Sequence, residues 1–211
     1  MRAKSAHHAQ TLAVAAAALT LAACGGNDSA VTAPTTTPID PARAPADLRW
    51  ENYQGVPLPI GAHDGPAKLS GTASGYSHTP QGAALAAINH STRISLAPDN
   101  AWAQMASISL MPGPGKDAWV MARVQISITA PAAPATAPRI AGYKVVNYTP
   151  ASTDLVIYST YPDNSITATA ETVTWSSEDW RLVLPNPAAK VQTIQSIPAI
   201  PANVVKLDSP K

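Results

Sequence analysis

The chain has 211 residues, 14 Lys and Arg against 13 Asp and Glu, and only 13% charged residues. Such a balance excludes a nucleic-acid surface or a polybasic membrane patch built from net charge. With no phenylalanine and one cysteine, the core aromatics must be tryptophan and tyrosine, and no internal disulfide can form.

Arg2 and Lys4 precede an apolar stretch from Thr11 to Leu21, which ends in Leu21-Ala22-Ala23-Cys24. A basic start, a short apolar centre and small residues at its end are secretory-signal architecture, too short at the centre for a stable span. The last four residues match the bacterial lipobox, so cleavage is expected between Ala23 and Cys24, with lipidation of Cys24. Two acyl chains, at about 0.8 kcal/mol per buried methylene, suffice for stable anchoring. Loss of Arg2 and Lys4 with residues 1–23 takes the formal charge from +1 to −1. Residues 24–47 are polar and rich in Thr, Pro and Ala, without hydrophobic period, and read as a lipidated, disordered tether.

Residues 48–185 read as a single α+β domain. It opens with an irregular arm in which Trp50, Val56, Leu58 and Ile60 bury against the rest. Thr79-Pro80 is a helix start, a capping hydroxyl followed by proline at the first helical position. Leu85, Ile88, Thr92 and Leu96 then follow at helical spacing, so a helix is expected over 80–94. A second helix is expected over 101–111, carrying Trp102, Met105, Ile108 and Leu110. Residues 116–128 fit a third helix through Trp119, Val120 and Arg123, with a strand through Val-Gln-Ile-Ser-Ile as the alternative. From Ile140 the period becomes two. Runs over 140–148, 153–161, 165–175 and 180–184, joined by short turns, predict an antiparallel meander. The expected fold is therefore two or three N-terminal helices packed on a curved, mostly antiparallel four-stranded sheet, cone-like, followed by a Pro-rich tail over 186–211.

Two stretches carry a resemblance. Trp50, Gly55-Val56-Pro57-Leu58-Pro59, Asp64-Gly65-Pro66 and Gly75-Tyr76-Ser77-His78-Thr79-Pro80-Gln81-Gly82-Ala83 resemble the opening of a family of actinobacterial exported proteins and lipoproteins of unknown function, often encoded on mobile elements. Tyr143-Lys144-Val145-Val146 and Trp175-Ser176-Ser177-Glu178-Asp179-Trp180-Arg181-Leu182-Val183 are similar to the last strands of nuclear-transport-factor-2-like (cystatin-like) domains. Such domains occur in envelope components of type IV secretion and conjugation machines. The resemblance implies a fold and an envelope context, and no catalytic residue.

The candidate chemistry is sparse. His63, Asp64, His78, His90 and Asp99 are the groups from which an acid–base pair could be drawn. His78 and His90 lie twelve apart without metal-ligand spacing, so no metal site is expected. His63-Asp64-Gly65-Pro66 reads as a turn. Pro112-Gly113-Pro114-Gly115-Lys116 lacks phosphate-loop spacing and puts prolines where N–H donors are needed. Trp175 and Trp180 flank a short turn and form either a ligand-stacking pair or a core edge. His78, His90, Trp175 and Trp180 are thus the candidate pocket or interaction residues. No cofactor and no catalytic motif is expected. The functional expectation is a non-catalytic protein-interaction domain, held to the extracytoplasmic side of the cell membrane by its anchor, with an envelope protein as partner. The alternative is a ligand-binding or enzymatic cone with its pocket between helices and sheet.

Overall fold

The computed structural model describes residues 39–70 and 72–210. The leader, Cys24 and residues 24–38 of the expected tether lie outside the described residues. At the described end of that tether, Gln81 Nε2 donates to the carbonyls of Asp40 and Arg43, both at 2.9 Å. Arg43 returns a bond to Gln81 Oε1 at 3.2 Å, which fixes this stretch against the first helix.

The elements in order are β1 (Leu48–Tyr53), β2 (Val56–Gly61), α1 (Pro80–Ser95), α2 (Trp102–Ser109), α3 (Pro114–Arg123), β3 (Arg139–Tyr148), β4 (Ser152–Thr160), β5 (Ile166–Ser176), β6 (Asp179–Val183), β7 (Ile194–Ser196) and β8 (Val205–Lys206). One short 3₁₀ turn, Pro187–Ala189, lies between β6 and β7. β1 and β2 form a two-stranded sheet. The larger sheet has six strands in the order β6-β5-β4-β3-β8, with β7 also paired to β5. Every ladder is antiparallel.

This overturns the expected fold class. The sheet is six-stranded rather than four-stranded, a second sheet exists, and strands outnumber helices. The expected irregular arm is the β1–β2 hairpin. Its second strand, Val-Pro-Leu-Pro-Ile-Gly, holds two prolines, which argue against a strand interior. They are tolerated because Pro59 offers its carbonyl to Asn89 Nδ2 of α1 at 3.0 Å. Within an antiparallel strand a residue's N and C=O point to the same side, so Pro59, and Pro57 two residues before it, turn their missing N–H away from β1. The tail contributes the remaining two strands. β7 has three residues and β8 two, too short for any period to show.

Helix α1 is the centre of the molecule. Thr79 caps it, its hydroxyl accepting from Gly82 N at 3.0 Å. Residues 80 to 90 are buried on every face, because the hairpin packs on one side and the large sheet on the other. Ala83, Ala84, Ala86 and Ala87 keep the neighbours close, while Leu85 and Ile88 fill the core with no exposed surface. Each such side chain contributes about 1.5–3 kcal/mol by burial. The inner sheet face meets them with Leu155, Ile157, Val173 and Leu182, and Leu110 closes one end. The space between α1 and the sheet is therefore filled by side chains. The end of helix α3 is fastened by Arg123, which is 4% exposed and donates to Ala97 O and Asp99 Oδ1, both at 2.8 Å. The Val-Gln-Ile-Ser-Ile stretch after it is not a strand. Among the described residues no helix is long and apolar enough to cross a membrane.

Candidate functional site

Strands β5 and β6 meet in a two-residue turn, Ser177-Glu178, with φ of 54° and 62°. Both central residues in the left-handed region make this a type I′ geometry, which normally recruits Asn-Gly. Neither Ser nor Glu adopts it without cost, and such strain is retained where the surroundings impose it.

Directly below this turn, Trp175 and Trp180 are cross-strand partners, so their side chains share a face. Their rings sit 5.3 Å apart at 71°, an edge-to-face arrangement. Trp180 is fully buried and donates Nε1–H to Ser77 O at 2.9 Å, whereas Trp175 is half-buried. His78 lies flat on Trp175, with centroids 3.9 Å apart and planes 10° from parallel. It is also edge-on to Trp180 at 5.6 Å. Its Nε2 bonds the Pro150 carbonyl, and Tyr148 Oη donates to the His78 carbonyl at 3.3 Å. His78 itself is exposed. Three of the four candidate residues thus form one aromatic group at an end of the sheet, with the exposed imidazole outermost.

The sequence singled out Asp64 only as an acid–base candidate in a turn and missed Asp179 altogether, and these are the residues that place His78 there. The Asp179 carboxylate accepts from Gly75 N at 2.7 Å and Tyr76 N at 3.1 Å. This ties the segment before α1 to the start of β6 across a hundred residues. Asp64, 4% exposed, accepts the Ser77 hydroxyl at 3.1 Å and the Thr79 hydroxyl at 3.3 Å. Gly82 completes the approach, since a Cβ there would stand 2.0 Å from Ser77 O. The one sequence signal for Asp179 is an acid ending a tight turn directly before a tryptophan.

His90 belongs to the interior. It is 1% exposed, and its Nε2–H donates to Trp180 O at 2.9 Å. Among the described residues its Nδ1 has no partner, and the Tyr76 ring stands edge-on at 5.2 Å. Burial lowers its pKa from 6.5 to about 4, so the imidazole is neutral at physiological pH. His78 and His90 both touch Trp180, one on its ring and one on its carbonyl, and they do not form a pair. His63 is exposed in the turn that carries Asp64. Asp99 accepts from Ile128 N at 2.9 Å, Ser127 Oγ at 2.6 Å and Arg123, which lowers its pKa to about 2. It fastens the end of α3 and faces neither histidine. Among the described residues no group of three or more His, Cys, Asp or Glu is placed to hold a metal ion.

A family model described as a domain of unknown function (DUF8175) matches residues 12–201. The chain belongs to this family. No curated protein and no solved structure matches it. The family match covers the hairpin, α1, the large sheet through β7 and the aromatic group together.

Proposed function

We propose that this member of the family is a membrane-anchored lipoprotein whose folded part acts as a non-catalytic protein-interaction domain on the extracytoplasmic side. The observation that carries the reading is Leu21-Ala22-Ala23-Cys24 closing an apolar run behind Arg2 and Lys4. The resemblance to actinobacterial exported lipoproteins and to secretion and conjugation components supports an envelope machine as the context. The aromatic end is the contact surface in this reading. It offers a half-buried tryptophan, an exposed histidine stacked on it and a strained turn at the tip. Aromatic side chains supply large contact area with little rotamer freedom to lose, which is why they anchor interfaces.

The test is site-specific photo-crosslinking in the native cell. A crosslinker at Ser177, on the tip, should give a discrete adduct with one envelope protein, and Trp175→Ala should abolish it. The same group at Thr136, in the exposed loop before β3, should not give that adduct. Identical adduct patterns from both positions, or no adduct at Ser177, would reject the aromatic end as the contact surface.

A further inference from the structure

Away from the aromatic group, a cleft of about 650 Å³ opens where the β1–β2 turn, the loop before β3 and the β4–β5 turn converge. Its volume lies within the roughly 300–1,000 Å³ of ordinary ligand sites. Its floor is a register row across three neighbouring strands, with Arg139 of β3 opposite Thr160 of β4, and Thr160 opposite Ile166 of β5. Directly opposed residues share a sheet face. A guanidinium, a hydroxyl and an apolar side chain therefore stand side by side.

The walls are stiff. Pro57, Pro134, Pro138, Pro162 and Pro210 all line the cleft, each with its φ fixed by the ring. The loop before β3 is pinned to the hairpin by Ala132 N donating to Gln54 O at 2.9 Å. That approach needs Gly55, which has φ +84° and would set a Cβ 2.8 Å from Ala132 O. A site already shaped loses little entropy on binding.

The described lining carries charge of one sign. Among the described residues Arg139 is the only ionised side chain in the lining, and it makes neither an ion pair nor a side-chain hydrogen bond. The one acid of the β4–β5 turn, Asp163, is occupied by Ser165, which donates its N at 2.9 Å and its Oγ at 2.7 Å. Asn164 and Asn52 add amides to the rim, and Tyr161 adds an aromatic ring.

We infer that this cleft binds the carboxylate end of a short peptide. The Arg139 fork takes the carboxylate through two parallel N–H donors. Thr160 and the rim amides meet the last peptide group, and Ile166 with the proline rings receives a small apolar side chain. The inference does not depend on the lipid anchor or on the aromatic end.

The experiment is an amide-NMR titration of the full chain with N-acetyl-Ala-Ala, and in parallel with its C-terminal amide. The acid should shift the Arg139, Thr160 and Asn164 resonances, and the amide should not. Arg139→Gln should weaken the acid at least roughly tenfold, as expected for a lost charge-assisted pair, and Arg139→Lys should weaken it less. Because Arg139 is exposed, an otherwise unchanged spectrum shows that Arg139→Gln keeps the fold. A carrier protein ending in Ala-Ala separates the sources. Binding of the carrier assigns the cleft to protein chain ends, and binding of the free peptide alone assigns it to free peptides. Equal shifts from acid and amide, an unaltered response in Arg139→Gln, or no shift at these residues would overturn the inference.

Discussion

Asp179→Ala should cost far more than a substitution in a surface turn usually does. The Asp179 carboxylate holds two backbone N–H groups of the segment before α1, Gly75 at 2.7 Å and Tyr76 at 3.1 Å. Hydrogen bonds to a charged acceptor contribute about 1.5–3 kcal/mol each. Gly75 is exposed, so water replaces part of its bond, while Tyr76 is buried and its N–H is left without an acceptor. The two together give an expected loss of about 3 kcal/mol. Asp179→Asn keeps the shape, yet one terminus becomes an NH₂ facing an N–H donor, so about half that loss is expected. Urea unfolding of wild type and both variants, with unchanged denaturant slopes, is the assay. Hydrogen exchange at Gly75 and Tyr76 should accelerate in step. If Asp179→Ala stays within about 0.5 kcal/mol of wild type, the carboxylate does not hold this segment, and the account of how His78 reaches Trp175 is wrong.

Three further outcomes are expected. Glu178→Gly should stabilise by about 0.5–1 kcal/mol in the same urea assay, because glycine adopts a φ of 62° freely and the relief exceeds its entropy cost. The Arg93–Glu51 ion pair should be asymmetric. Arg93 has 2% of its side chain exposed and stacks 4.5 Å over Tyr53, while Glu51 is 31% exposed. Glu51→Gln therefore leaves a buried, uncompensated guanidinium and should cost about 3 kcal/mol, whereas Arg93→Met leaves a carboxylate that water reaches and should cost less. Equal losses would show that burial does not govern the pair. His90 should impose an acid slope. Its pKa is 6.5 unfolded and about 4 folded, so the unfolded chain takes up the proton first. Stability then falls as pH drops from 6.5 to 4 and levels off below, a loss of about 3 kcal/mol from this group. His90→Gln should remove that part of the pH dependence measured by thermal unfolding.

How much of this was legible in the sequence varies with the kind of signal. Helix α1 is written locally. A capping threonine, a proline and apolar residues at helical spacing act within one segment, and the helix begins where they place it. The β1–β2 hairpin was hidden because Pro57 and Pro59 argue against a strand. Only the packing of Asn89 against the Pro59 carbonyl shows that their missing N–H groups face away from the partner. β7 and β8 were hidden by length, since two or three residues acquire strand geometry only from the strands they join. The end of α3 was ambiguous because Trp119, Val120 and Arg123 suit a helix while Val-Gln-Ile-Ser-Ile suits a strand, and the hydrogen bonds that Ser127 and Ile128 donate to Asp99 decide it. At the candidate site, the spacing of Trp175 and Trp180 suggested a pair. The arrival of His78 depends on Asp64, 13 and 15 residues before the hydroxyls it accepts, and on Asp179, more than a hundred residues after the segment it grips, which no local pattern encodes.

Intact mass spectrometry of the protein extracted from its native membranes decides whether Cys24 carries a lipid anchor. The expected result is a chain that begins at Cys24 and carries a diacylglyceryl group on sulfur, and a Cys24→Ala variant that is either uncleaved or released from the membrane. A mature chain beginning elsewhere, or one beginning at Cys24 with no added lipid mass, would contradict it.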